Sequence, residues 1–510
     1  MNMDAIVAVT DRIDTVMYTY FLVFLLIFSG LYFTIRTRGV QFRLIKDMFS
    51  AITEKRHEPG RRGVSSFQAM MVSTASRVGT GNIAGVATAI AVGGPGAVFW
   101  MWVMALVSSA SAFVESTLAQ IWKVHSGQGE FRGGPAYYIQ QALHSRALGV
   151  VFSVCLILCF GIGFNGLQSY NMSSSLEYYI PGYAHTAGPV ALGLLLAVVT
   201  GFVLFGGTRR ISFMTSYIVP AMALLYLGMT VVLMVMNVPE IPAVFGMIFR
   251  EAFDVQAIAG GFAGSMIVQG IKRGLFSNEA GMGSAPNAAA AASVSHPVKQ
   301  GLVQVLSVFI DTLLICSCSA VMIMLYVHNN TGVIAWGGAT GAAALSNMPL
   351  VQAAMLDGFG PLGINFMTLA IFAFAFSSLI GNYFYAEGNF RFITKSKPAL
   401  VVFRIVCCVV IFFGAQSNLT LAWNLADIFM GLQATVNIVA ILLLGKWAIA
   451  ALRDYEEQRR QGLDPVFEAR NFPGMPACEC WHETREELEA ATRAVEVEER
   501  EIRESEQELE

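Results

Sequence analysis

The chain has 510 residues and 55.2 kDa, of which 55% are hydrophobic and only 13% charged, with a mean hydropathy of +0.58. A soluble globular protein carries about 25% charged residues. A chain this apolar would expose large greasy patches to water, so a soluble multidomain protein is excluded and lipid is the solvent. The net charge of −3 hides an uneven split: residues 451–510 hold 18 Asp/Glu against 8 Lys/Arg, and the first 450 hold 17 against 24. The sequence therefore reads as a membrane protein with an acidic polar tail.

Apolar stretches long enough to cross about 30 Å of hydrocarbon are read at 17–36, 64–92, 95–122, 148–174, 187–206, 211–237, 259–292, 298–326, 359–385, 398–415 and 418–445. The first is not read as a cleavable signal, because Asp4, Asp11 and Asp14 precede it and Arg36, Arg38 and Arg43 follow it. That asymmetry places the N-terminus outside. Alternate gaps fit: residues 37–63 hold seven bases (Arg38, Arg43, Lys46, Lys55, Arg56, Arg61 and Arg62), while 177–186, 327–348 and 416–417 hold none. The expected topology is a multi-pass inner-membrane protein of a bacterium, N-terminus outside and C-terminus cytoplasmic. The basic stretch 37–62 is expected on the inner leaflet surface, attracted by anionic lipid.

Two stretches are not plain anchors. The second contains Ser76-Arg77-Val78-Gly79-Thr80-Gly81-Asn82. The seventh contains Gly270-Ile271-Lys272-Arg273-Gly274 and then Ser277-Asn278-Glu279-Ala280-Gly281-Met282-Gly283-Ser284-Ala285-Pro286. Glycines and charges at bilayer depth survive where backbone is buried or lines a cavity. Each run ends in an N-cap type residue, Asn82 or Ser284, and Pro286 suits a first helical turn. Two half-helix N-termini would then face the bilayer midplane with unpaired N–H groups, which suits a small carboxylate, while the preceding half-helices offer carbonyls to an alkali cation.

Five stretches run from the first break to Asn237 and five from the second to Trp447. Because five is odd, the halves have opposite orientation, as in the inverted repeats of secondary transporters. The expected organisation is 1–62, an N-terminal helix and basic segment; 63–237 and 238–447, two repeats; and 448–510, an acidic cytoplasmic tail.

The motifs Gly79-Thr-Gly-Asn-Ile-Ala-Gly-Val-Ala87, Gly93-Gly-Pro-Gly-Ala-Val-Phe-Trp-Met-Trp102, Gly133-Gly-Pro-Ala-Tyr-Tyr138, Arg273-Gly-Leu-Phe-Ser-Asn-Glu-Ala-Gly-Met-Gly-Ser-Ala-Pro286 and Ala426-Asp427 resemble those of the alanine or glycine:cation symporter family. The resemblance covers about residues 15–450. It implies an all-α polytopic fold of eleven transmembrane helices: a five-plus-five, leucine-transporter-like core with core helices 1 and 6 broken, plus one N-terminal helix. It further implies sodium-coupled uptake of a small neutral amino acid such as alanine, glycine, serine or glutamine, with no enzymatic activity, no nucleic-acid partner and no cofactor beyond the co-transported sodium. By that resemblance the amino acid is bound by Gly79, Thr80, Gly81, Asn82, Gln168, Phe276, Ser277, Asn278, Glu279, Gly281, Met282 and Asn382. The backbone at Gly79–Asn82 would take the carboxylate, and Gln168 and the Ser277–Met282 stretch would meet the ammonium and shape the pocket. Asn382 stands where some members carry tryptophan, which opens the pocket to a more polar or larger substrate such as glutamine. Sodium is assigned to Ser377 and Ser378 with the carbonyls of Ala75 and Val78.

Plainer readings sit beside these. Gly79–Gly85 could pass for a dinucleotide fingerprint, but it follows no strand. The alanines 288–292 read as a helix-packing surface. Glu115, Asp311 and Asp427 are expected to pair with Arg77, Lys272 or Arg273, and Glu279 or Asp311 would serve as the relay of a rival, proton-coupled carrier. Six cysteines (Cys155, Cys159, Cys316, Cys318, Cys407, Cys408) lie in apolar runs and imply no disulfide framework. Cys478, Cys480 and His482 form a C-x-C-x-H, a weak metal signal without a second cluster. The tail from about Glu479 is expected to be solvated.

Overall fold

The computed structural model describes residues 3–53, 64–126, 130–253, 266–330, 333 and 345–482. Among these the regular structure is helical, apart from a hairpin of two-residue strands, β1 (Val124–His125) and β2 (Phe131–Arg132), and an isolated bridge between Val64 and Ala292. In chain order the main helices are α1 (Ala5–Arg36), α2 (Ile45–Ile52), α3 (Ser66–Arg77), α4 (Ala84–Gly93), α5 (Gly96–Ile121), α6 (Pro135–Ala142), α7 (Arg146–Ser174), α8 (Gly188–Leu204) and α9 (Thr208–Met236). There follow α10 (Ile241–Glu251), α11 (Met266–Asn278), α12 (Pro286–Ala291), α13 (Pro297–Asn329), α14 (Asn347–Ile393), α15 (Lys397–Gly414) and α16 (Leu419–Arg460). Eight of them are long and apolar enough to cross a membrane, which makes the chain a polytopic α-helical membrane protein. Where they are described, the expected apolar stretches coincide with helices, and the second and seventh are the interrupted ones; residues 259–265 of the seventh lie outside the described residues.

Burial sorts the rods into two layers. On α1, α8, α9 and α15 large apolar side chains stay exposed, among them Phe24, Phe28, Leu194, Phe202, Leu224, Leu225, Val402 and Phe413. In lipid such residues are at home. Inside lie α3, α4, α11 and α12; every residue from Pro297 to Val308 of α13 is also buried. Glycine lets these inner rods touch backbone to backbone. A Cβ on Gly270 would stand 2.5 Å from Ala97 O of α5, and one on Gly381 of α14 would stand 2.7 Å from Ser76 N of α3. Residues 270–274, expected to be part of the irregular stretch, are therefore regular helix whose glycines serve close packing.

Several boundaries differ from expectation for identifiable reasons. The first rod begins at Ala5 rather than 17, because Asp14 is buried beside Lys272 Nζ at 2.5 Å instead of standing in water. Helix α14 runs well beyond 359–385 and kinks at Gly360 (φ +61°), where Pro361 removes a helical N–H and disfavours α geometry before it. Helix α16 continues to Arg460. Three rods carry π-helical segments, Tyr18–Leu22, Ile157–Phe164 and Phe309–Cys316. Within the basic stretch, Arg43 pairs with Glu456 at 2.6 Å and Asp47 with Arg459 at 3.0 Å, so its charges meet the end of α16; residues 54–62 lie outside the described residues.

The tail is only partly solvated where it is described: Glu479 and His482 are exposed, but Cys478 and Trp481 are buried. Residues 463–482 fold back over the ends of α5 and α13: Ser295 Oγ donates to Pro465 O at 2.8 Å, Phe467 N to Ser295 O at 3.0 Å, and Trp481 Nε1 to Gln120 O at 2.9 Å. Residues 483–510 lie outside the described residues.

One ionic cluster ties α1, α11 and α16 together. Lys272 Nζ lies 2.5 Å from Asp14 Oδ2 and 2.8 Å from Asp427 Oδ2, and Arg273 meets both Asp427 oxygens at 3.2 and 2.8 Å. Removing one partner of a buried pair leaves the other charge stranded, at a cost of about 3–5 kcal/mol. Asp427→Ala should therefore lower the thermal unfolding midpoint in detergent far more than Asp14→Asn, which still leaves Asp427 to neutralise Lys272. Equal midpoints for the two variants would contradict this ordering.

Candidate functional site

Helix α3 stops at Arg77 because Val78 (φ −79°, ψ 84°) and Gly79 (φ −129°, ψ −154°) leave helical geometry; a single 3-10 turn, Thr80–Asn82, then leads into α4. The turn is held from α7. Gln168 Oε1 accepts the Thr80 N–H at 3.0 Å, and Asn171 Nδ2 donates to Thr80 Oγ1 at 2.8 Å. Asn82 does not cap α4 as expected. That position falls to Ile83, which makes no side-chain cap. Asn82 turns inward instead: its Oδ1 accepts the Gly79 N–H at 3.0 Å, and its Nδ2 lies 2.6 Å from Asp311 Oδ1 and 3.0 Å from Ser277 Oγ. Space at the turn is minimal. A Cβ on Gly79 would stand 2.4 Å from Ser378 Oγ, and one on Gly81 would stand 2.3 Å from the Phe276 ring.

The second break runs from Glu279 to Ala285, with Glu279 (φ +55°), Gly281 (φ +89°) and Gly283 (φ +79°) all left-handed. Its backbone is already matched by a resident carboxylate. Glu115 of α5 accepts the Gly281 N–H at 3.2 Å through Oε1 and the Gly283 N–H at 3.0 Å through Oε2. Asn437 of α16 donates to Glu115 Oε2 at 2.7 Å and to Gly281 O at 2.9 Å, and Gln433 donates to Met282 O at 3.0 Å. Glu115 thus binds peptide groups rather than Arg77, Lys272 or Arg273, contrary to expectation. Ser284 is not the cap of α12 either. Ala285 holds that place, and Ser284 Oγ donates to Glu279 Oε2 at 2.7 Å.

The two breaks meet through side chains. Ser76 Oγ lies 2.9 Å from Glu279 Oε1 and 2.7 Å from Asn382 Oδ1, and Asn382 Nδ2 donates to Asn165 Oδ1 at 3.1 Å. Asp311, on the π-helical segment of α13, accepts from Ser277 Oγ at 2.5 Å and Thr312 Oγ1 at 2.8 Å as well as from Asn82; it forms a hydrogen-bonded hub, not an ion pair. Asn278 Oδ1 accepts the Ala280 N–H at 3.0 Å and shapes the turn. Over Gly81 lies an aromatic cover: Phe276 is 4.5 Å from Phe164 and 5.0 Å from Trp423, whose ring carries the Arg273 guanidinium at 4.0 Å. Thr80, Asn82, Gln168, Phe276, Ser277, Asn278, Glu279, Met282 and Asn382 are all buried.

For a cation, Ser378 Oγ stands 2.9 Å from Ala75 O and 3.4 Å from Val78 O, so three hard oxygens converge where α3 ends. Ser377 Oγ donates to Phe374 O of its own helix at 2.9 Å.

Sequence reasoning missed Gln433 and Asn437 of α16, and also Ser76, Asn165 and Asn171, the last three on buried faces of an interrupted or π-bulged helix. Polar residues three and six apart on α7 (Asn165, Gln168, Asn171) are the periodic signal that could have found two of them. Glu115→Ala orphans two buried N–H groups and an amide, at about 1–3 kcal/mol each. It should destabilise the folded protein by several kcal/mol in detergent unfolding, and Glu115→Gln should recover part of that because one carbonyl oxygen remains. A Glu115→Ala protein as stable as the parent would contradict the role given to the carboxylate.

Residues 3–469 match the model of the sodium:alanine symporter family. The amino-acid carrier protein AlsT of Bacillus subtilis (strain 168) is 45% identical over 92% of this chain and 96% of its own length. The "Probable sodium/glutamine symporter GlnT" of the same organism is 43% identical over 92% and 94%. A sodium/proton-dependent alanine carrier protein of Bacillus sp. (strain PS3) is 37% identical over 82% and 94%. These relatives are carriers and symporters rather than enzymes, and the chain belongs to the sodium:alanine symporter family.

Proposed function

We propose that the protein imports a small neutral amino acid together with sodium by alternating access, with alanine, glycine, serine and glutamine as the candidate substrates. The observation that carries the reading is the pair of interrupted helices meeting in the buried centre through Ser76–Glu279 and Asn82–Ser277–Asp311. The first break would receive the substrate carboxylate on the backbone of Gly79–Asn82, with Gln168 turning from the Thr80 N–H toward the ligand. The second break cannot offer the amides of Gly281 and Gly283, because Glu115 holds them. Its contribution is then side chains, with Ser277 and Glu279 facing the ammonium and Phe276 closing over the small side chain. Asn382, hydrogen-bonded to Ser76 and Asn165, puts polar atoms where a tryptophan would fill space, which favours the glutamine end of the range; the relative named as a glutamine symporter supports the same end. Sodium would sit among Ala75 O, Val78 O and Ser378 Oγ. The N-terminus would face outside and the acidic tail the cytoplasm, with 63–237 and 238–447 as inverted repeats.

Inward sodium movement supplies about 2.3 kcal/mol per charge per 100 mV, enough to drive uphill uptake. A second reading is coupling to protons through Glu279 or Asp311, favoured by their burial at the breaks and by the relative named for both ions. Proteoliposomes given sodium and proton gradients separately divide the two: saturable accumulation under the sodium gradient alone is expected, and uptake indifferent to sodium contradicts the proposal. Asn82→Ala and Gln168→Ala should each weaken amino-acid binding at least about tenfold, near 1.4 kcal/mol, while the protein stays folded. Unchanged affinity in both would remove them from the pocket.

A further inference from the structure

The Cys478-x-Cys480-x-His482 motif plays no part in transport as described above, and the fold takes it apart. Cys478 is buried, which raises its thiol pKa, and Trp481 is seated among Gln120 O, Lys123 and Phe467. This anchoring brings the neighbouring Glu479 and Cys480 to strand β1, more than 350 residues earlier in the chain. Glu479 Oε1 accepts the His125 backbone N–H at 2.9 Å, and Cys480 Sγ donates to Lys123 O at 3.3 Å. One donor atom each from His125, Glu479 and Cys480 then lies within 4.8 Å of the others.

We propose that His125, Glu479 and Cys480 form a binding site for a divalent metal of the zinc class, at the junction between the hairpin and the folded-back tail. An imidazole, a carboxylate and a thiolate form a mixed N, O and S set that suits zinc better than the hard cations magnesium or calcium. Tetrahedral donors about 2.0–2.3 Å from zinc stand roughly 3.3–3.7 Å apart, so rotation of these surface side chains by about an ångström closes the set. The supporting backbone is fixed on both sides, by the β1–β2 pairing and by the Trp481 anchor. Water completes the fourth position. On binding, the Cys480 thiol releases its proton to solvent, the thiolate becomes the ligand, and its contact with Lys123 O is given up. The bound metal fastens the tail across the ends of α5 and α13, where Phe467 already bonds Ser295 and Lys123 Nζ bonds Ala292 O just beyond the second broken helix. The effect of that fastening on uptake rests on the proposed transport function; the site itself does not.

The full-length protein, purified in detergent and stripped with a chelator, is titrated with cobalt(II) and then with zinc(II). The expected result is one cobalt per chain with a thiolate-to-metal charge-transfer band that zinc displaces. The band should be lost in C480S, weakened at least tenfold in affinity in H125N and E479Q, and kept in C478S and H482Q. Absence of the band in the parent protein, or its persistence at full affinity in C480S or H125N, overturns the proposal. The readout does not involve transport, so failure here and failure of the symport reading are told apart.

Discussion

In hydrocarbon, a peptide N–H or C=O with no partner costs several kcal/mol, so a helix can be interrupted there only if something inside the protein takes over its hydrogen bonds. The structure meets that constraint in two different ways. At the second break the replacement is permanent: Glu115 and Asn437 take the amides and carbonyl of a left-handed glycine turn. At the first it is made by the neutral amides of Gln168 and Asn82, the latter held in turn by Ser277 and Asp311. A neutral side-chain amide such as that of Gln168 gives way to a ligand carboxylate more readily than a carboxylate that holds two backbone N–H groups at once. The asymmetry supports the proposed placing of the carboxylate at the first break, with the second break positioning it.

The rest of the fold serves to hold those two turns together. Gly381 lets α14 lie against Ser76, and Gly270 lets α11 lie against α5. The Asp14–Lys272–Asp427–Arg273 cluster fixes α11 to the first and last rods. Its charges are buried one helical turn and more before Ser277, so the half-helix that presents Ser277 and Phe276 is anchored where it cannot drift. The Arg273–Trp423–Phe276–Phe164 stack continues that anchor to the cover over Gly81. One aromatic column thus runs from the ionic cluster to the site.

Much of this was legible in the sequence because lipid makes hydrophobic length decisive. The apolar stretches, both interruptions and the family followed from runs such as Gly79–Asn82 and Glu279–Pro286. What stayed hidden depended on partners far away in the chain. Asp14 read as a polar flank until Lys272, 258 residues later, was seen beside it. Asn82 and Ser284 read as helix caps because local patterns reward those residue types, yet tertiary hydrogen bonds to Asp311 and Glu279 outweighed the caps. The bonding of Glu115 to a glycine turn, rather than to a base, had no local signal, and neither did the π-helical segment that aims Asp311 at Asn82. Trp481 looked like part of a solvated tail because nothing nearby in sequence announces the carbonyl of Gln120 that receives it.

The central claim is that the amino-acid carboxylate binds the backbone at Gly79–Asn82 while Glu115 keeps the amides of Gly281 and Gly283. A structure of the protein determined with alanine or glutamine and sodium tests it most directly. The account predicts ligand carboxylate density within hydrogen-bond distance of the peptide groups of Gly79–Asn82, with Gln168 swung off the Thr80 N–H and Glu115 unmoved. A ligand whose carboxylate lies on the Gly281–Gly283 amides with Glu115 displaced, or one bound away from both breaks, would contradict it.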